Sequence, residues 1–358
     1  PKNETVIEEP KAEVEAPEVT EPTVETAPKN ETVVEEPKAE VKAPEVTEPK
    51  TAEEVASTPK VRPVRPQGLS QAMNTAIDFG EDLTDLVNAK NATPEEIQKL
   101  VQKHFQKDNI RIHGMSEYDG MGINAKGKAA TTRPFFNEEG KLETIDIFVP
   151  DLDYNNPNAV LEFISKTTHE MTHVSQFIEK DSVEAEHLKP TLEGKFLNWA
   201  QKLITDKYTE KLPTDMLKEL FREQGIIPRT AEDVNKFFDN PNANLSVDRI
   251  GEVLKLGKDE TSRAQSINTI FDIMIDPMLQ QMAPRDPNVQ SLISKHGGYE
   301  GLKSEIKKIC AETFRKEQEA YKAEEMMRQE LNGTSGQDTN YGIIHKIMGI
   351  CADALEKG

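Results

Sequence analysis

The spacing of apolar residues divides this chain into three regimes. Up to about residue 66 apolar positions are sparse and follow no period, which denies that stretch a core-facing side. Between 69 and 107 they recur every three or four residues and predict two helices, 69–89 and 94–107. The second has Thr93 as N-cap, Pro94 in its first turn and then Glu95 and Glu96. Short, Gly-punctuated runs follow, "NIRIHGM", "GMGINA" and "KAATTRPFF", and "NEEGK" predicts a hairpin-type turn into "LETIDIFVP". In that last strand Ile145, Ile147 and Val149 alternate with Thr144, Asp146 and Phe148, so one face is strongly apolar, and Pro150 ends it. From 157 onward the pattern is almost wholly helical, over 157–180, 183–208, 213–224, 231–239, 246–256, 260–283, 287–295, 299–331 and 340–356. Segregated strands and helices predict an α+β fold. The expected domain spans 67–358, with a small mixed β-sheet ahead of the 157–180 helix in its first part, 67–180, and a helical second part, 181–358.

The aperiodic front end is a repeat. Residues 1–22, "PKNETVIEEPKAEVEAPEVTEP", recur at 28–49 with changes only at Ile7/Val34 and Glu15/Lys42. Residues 1–60 hold sixteen Glu against seven Lys and no aromatic residue, too little apolar area to offset the entropy of ordering. A helical solenoid is excluded by a Pro every few residues. The expectation for 1–66 is therefore a disordered acidic spacer, and sixty such residues extended at about 3.1 Å each reach on the order of 190 Å. Its Glu-Pro and Lys-Pro alternation resembles the spacers of some bacterial envelope proteins, which implies an envelope or secreted setting. "KVRPVRPQG", with Lys60, Arg62 and Arg65, marks where it stops.

Charge and composition remove several function classes. The formal net charge is −20, and about half of it lies in the spacer. The remainder shows no Lys/Arg cluster interleaved with aromatics, which speaks against nucleic-acid binding. No run of about 18 apolar residues occurs, so no membrane span is expected. Cys310 and Cys351 are too few for a disulfide framework and read as core thiols. "YDGMGINAKGK" lacks phosphate-loop spacing, and the Met-rich "IFDIMIDPMLQQM" reads as core packing.

What remains is "SKTTHEMTHVSQF", residues 165–177. Residues i and i+4 share one helix face about 6 Å apart, so His169 and His173 can present two imidazoles to one ion. Glu170, one step round, can hold and deprotonate a metal-held water without being a ligand itself. Thr167, Thr168, Met171, Thr172 and Val174 are uncharged, as a site let into a core requires.

At these residues the chain resembles the zincin metallopeptidases. His169 and His173 match the two zinc-binding histidines and Glu170 the general base, and "HEMTHVSQF" is similar to the HE-x-x-H-V-x-Q form of several bacterial zincin-like domains. The flanks depart from the usual pattern at Lys166 and Ser175, which are more polar. The metzincin pattern is excluded, because Gln176 and Glu179 stand where it has Gly and His. A glutamate on a later helix, the gluzincin arrangement, is the remaining common third ligand.

Candidates for it are Glu184, Glu186 and His187 nearby, and Glu312, Glu317, Glu319, Glu324 and Glu325 further on. Helical phase separates them: Leu302, Ile306, Cys310, Thr313, Phe314, Ala320, Tyr321 and Leu331 all lie within about 60° of Glu317, which puts it in the middle of the apolar stripe. Glu324 shares that face, and Glu319 points the other way, towards solvent. A carboxylate on a buried stripe must be paired or bind a metal. "EQEAY" is also similar to the E-x-E-A-D segment of some gluzincins, whose first Glu is the ligand, and Tyr321 stands where that pattern has an Asp. Candidates for an oxyanion donor are Tyr299, Tyr321, Tyr341, His296 and His345.

The resemblance implies a Zn²⁺-dependent peptidase acting on a peptide or protein substrate, with "ETIDIFVP" as an edge strand to pair with that peptide. The competing class is a zincin-like binding or effector domain, toxin-associated, with structural or absent zinc and no hydrolysis.

Overall fold

The computed structural model describes residues 65–120, 130–137, 139, 141–179, 191–230, 233, 246–335, 337, 339–340 and 342–357. The acidic repeats, the "GMGINA" segment after Gly120 and nearly all of the expected 231–239 helix lie outside these residues. All the described residues belong to one unit, Arg62–Gly358.

Two capped helices open it. Helix α1, Gln71–Asn88, starts at Ser70, whose hydroxyl accepts from the Met73 N–H, and buries Met73, Ala76, Ile77, Phe79, Leu83 and Val87. Arg65 ties the segment before α1 to that helix through Asp78 (2.8 Å) and Glu81 (2.6 Å). Helix α2, Pro94–Phe105, has the expected Thr93 cap, which accepts from Glu96 N–H.

Three strands make a mixed sheet of order β1-β3-β2, with β1 (Ile110–Gly114) parallel and β2 (Thr131–Phe136) antiparallel to β3 (Leu142–Val149). The turn between β2 and β3 is held by Asn137, whose side chain accepts from the Glu139 and Lys141 N–H groups. A short helix α3, Met115–Gly120, follows β1 in a stretch to which the sequence assigned no element. One expectation for β3 is corrected. It is the central strand and not an edge, because a parallel partner takes its second side, so it cannot pair with a peptide. Both its faces are buried: Ile145, Ile147 and Val149 on one, and on the other Phe148, stacked by His113, with Asp146, which accepts from Arg111.

The rest is helical: α4 (Pro157–Glu179), α5 (Leu192–Glu223), α6 (Val247–Val253), α7 (Glu260–Met282), α8 (Pro287–Lys295), α9 (Tyr299–Leu331) and α10 (Gly342–Lys357). The expected break between 208 and 213 is absent, and α5 runs on through Pro213. Burial of Tyr208, Leu212, Met216 and Leu220 in one continuous row outweighs the hydrogen bond that Pro213 cannot donate.

Two hydrophobic cores result. One joins α1, α2, the sheet and α4 to Ala323 and Met327 of α9; the other gathers α5 to α8 and α10 around Leu302, Ile306, Cys310 and Phe314 of the same helix. Cys310 and Cys351 are both free and buried, as expected of core thiols. Helix α4 lies close against α1 at Gly80, where a Cβ would come within 2.4 Å of the Thr168 hydroxyl oxygen. Architecturally the domain is α+β, mostly helical, with a small three-stranded sheet.

Candidate metal centre

Helix α4 carries the motif at its most buried turns. Thr167, Thr168 and Thr172 return their hydroxyls to the carbonyls of Phe163, Ile164 and Thr168, so these polar side chains enter the core satisfied. His169 and His173 then project from one face with ring centroids 5.0 Å apart. Helix α9 crosses that face and brings Glu317 between them. One carboxylate oxygen lies 3.6 Å from His169 Nε2 and the other 3.5 Å from His173 Nε2.

These separations are longer than an N–H···O hydrogen bond. They match the spacing of two donors on a shared tetrahedral ion: with bonds of about 2.1 Å, neighbouring vertices stand about 3.4 Å apart. One atom from each of the three residues fits within a 4.8 Å span. The buried charges ask for the same occupant. Among the described residues, buried Glu170 and Glu324 and the partly exposed Glu317 are set beside one ammonium, that of Lys166, so carboxylates outnumber it here, an imbalance that a divalent cation would offset.

In the absence of a cation, protons fill that role. Burial disfavours a charged His169, yet the Glu317 and Glu324 carboxylates override it and push its pKa up to about 10. Burial likewise works against ionised Glu317, but the imidazoles of His173 and His169 hold its carboxyl well below the ordinary carboxylate range.

Behind each histidine stands a second polar group. Glu324, with a fully buried side chain, reaches His169 Nδ1 at 3.0 Å, misaligned for an ideal hydrogen bond and so chiefly electrostatic. Its other oxygen takes Lys166 Nζ at 2.5 Å. Burial raises the Glu324 pKa, and Lys166 with His169 brings it back down to about 2. His173 Nδ1 meets Gln176 Oε1 at 3.0 Å, and Gln176 donates in turn to Glu319 (2.7 Å) and to the Lys316 carbonyl. Such partners fix ring orientation and tautomer. Glu170 has one too: the Thr132 hydroxyl, from β2, donates to Glu170 Oε2 at 2.7 Å.

Of the proposed third ligands, Glu317 alone stands with both histidines among the described residues. Glu324 is not at the ligand edge but behind His169. Glu319 does not face away into solvent, because its carboxylate accepts from Gln176 of α4. Glu312 lines a cleft with Lys303 and Lys308, and Glu325 accepts from Gln329 and the Thr339 hydroxyl and meets His345. Glu184, Glu186 and His187 lie outside the described residues, as does Tyr341. Among the other oxyanion candidates Tyr299 is exposed, His296 is engaged by Glu193 and His345 by Glu325. Only Tyr321 touches the centre, with its ring edge-on to His169 at 4.5 Å.

The sequence offers none of Lys166, Gln176 and Thr132 as a candidate site residue. Gln176 had a signal, three residues after His173 on the same face; Thr132 had none. Comparison with family models, with curated proteins and with solved structures gives no match to this chain.

Proposed function

We propose that this domain is a zinc-dependent peptidase of gluzincin-like, zincin type, acting on a peptide or protein substrate. The observation that carries the reading is the meeting of His169, His173 and Glu317, drawn from two helices, with a further carboxylate, Glu170, beside them and outside the ligand set. A His₂Glu donor set suits Zn²⁺, and three protein ligands leave a fourth position open, as catalytic sites do and structural four-ligand sites do not. That difference favours hydrolysis over the alternative of a binding or effector domain with structural zinc. Zn²⁺ held there would polarise a scissile carbonyl and lower the pKa of a water.

The chain's own residues would do the rest. Glu170 accepts the proton of the attacking water and hands it to the departing amine. Lys166 and Glu324 keep His169 oriented, and Gln176 does so for His173. Strand β2, which has β3 on one side only among the described residues, replaces β3 as the edge along which an extended peptide would lie. No described helix is long and apolar enough to cross a membrane.

Two measurements test the reading. Elemental analysis should find about one zinc per chain, lost in His173→Ala. Glu170→Gln should keep metal and fold while peptide hydrolysis falls by about 10²-fold or more. Undiminished turnover in metal-replete Glu170→Gln protein removes the mechanism.

A further inference from the structure

A glutamate held only through its backbone has three side-chain torsions free, and a base that wanders is a poor base. In this domain the carboxylate of Glu170 is anchored from a second element. Thr132 lies on β2 opposite Ile147 of β3, and its hydroxyl donates to Glu170 Oε2 at 2.7 Å. The same hydroxyl oxygen is 3.3 Å from the Glu170 carbonyl, but a single proton goes to the nearer, charged acceptor. Glu170 is only 5% exposed, so bulk water competes little for the bond.

We propose that Thr132 is the positioning residue for Glu170: it pins one carboxylate oxygen from the edge strand and leaves the other to exchange the proton. The catalytic part of this rests on the peptidase reading above; the pinning does not. A threonine in a strand also has a bland explanation, since β-branched residues suit strands on any surface. Valine keeps the branching and volume and removes only the donor, and serine keeps the donor and removes the methyl group. That pair of substitutions separates the two roles.

The test uses the full chain with selectively ¹³C-labelled glutamate, the Glu170 carboxyl resonance being assigned by its loss in Glu170→Gln. In metal-free protein this resonance should shift in Thr132→Val and keep its parental position in Thr132→Ser. In zinc-loaded protein Thr132→Val should lower kcat about 10- to 100-fold with KM unmoved, and Thr132→Ser should restore most of it. A Glu170 resonance unmoved by Thr132→Val overturns the proposal whatever the activity, and so does a moved resonance beside parental kcat. A parent protein that hydrolyses no peptide, with the resonance moved in valine and not in serine, sinks the peptidase reading and still upholds Thr132 as the group that pins Glu170.

Discussion

Lys166 and Glu324 can be cut apart one at a time, and the two cuts should agree on stability and disagree on metal. The pair is buried, with side chains 16% and 0% exposed and a contact of 2.5 Å. Glu324→Gln leaves an ammonium without its counter-charge, and Lys166→Met leaves a carboxylate with His169 alone. Breaking one side of a buried pair costs about 3–5 kcal/mol, whereas removing both charges is close to neutral. For a unit of this size that is a fall on the order of 10 °C in the thermal midpoint of either metal-free single variant. The double variant should return most of it, so the two single losses are strongly non-additive, with a coupling of about 5 kcal/mol or more.

Metal affinity should split the singles. Glu324→Gln removes the charge behind His169 Nδ1 and should weaken zinc binding about 10- to 100-fold. Lys166→Met leaves every carboxylate in place and removes a cation from the cluster, so zinc binding should hold or tighten, and added zinc should recover more stability in it than in Glu324→Gln. Chelator competition and thermal melts with and without zinc read both quantities. Additive losses in the double variant, or a Lys166→Met protein that loses zinc as Glu324→Gln does, would refute the charge accounting on which the centre is argued.

Three further outcomes are expected. Glu317→Gln replaces a charged ligand oxygen with a neutral one and should weaken zinc by orders of magnitude, while Glu319→Gln, which disturbs only the Gln176 relay, should weaken it about tenfold; chelator competition ranks them. Glu193 is shielded by burial, which raises its pKa, but Lys295 and His296 hold it below the ordinary glutamate value. Its contribution is therefore full above that value and lost as pH falls through the lower folded one, so parent and Glu193→Gln should differ in urea midpoint near neutrality and converge in acid. Gly80→Ala drives a methyl into the Thr168 hydroxyl and should destabilise by about 1–3 kcal/mol, read by the same denaturation; a neutral result would mean that α1 and α4 can part freely.

What the sequence showed was local. Thr93, Pro94 and the two glutamates gave the start of α2, and the i, i+4 spacing in α4 placed both imidazoles because helix geometry alone sets it. Phase on α9 chose Glu317 for the same reason. Phase also failed there, because it fixes the direction of Cβ and not the tip of a long side chain: Glu319 starts on the far side and still meets Gln176. The edge position of β2 and the passage of α5 through Pro213 depend on partners far along the chain, and no window of residues contains them.

The partner of His169 Nδ1 is set by two helices together. The similar gluzincin segment has an aspartate one turn after the ligand glutamate; this chain has Tyr321 there, packed on the imidazole, which leaves no carboxylate at that level. One more turn brings Glu324 onto the same face, and a side chain longer by a methylene reaches back to Nδ1. That position is deeper, with no exposed surface, and an ionised carboxylate there requires a counter-charge. Lys166 supplies it from three residues before His169, on the same helix. Lys166, the residue that makes the flank of the motif more polar, is thus the counter-charge of the carboxylate that stands behind His169.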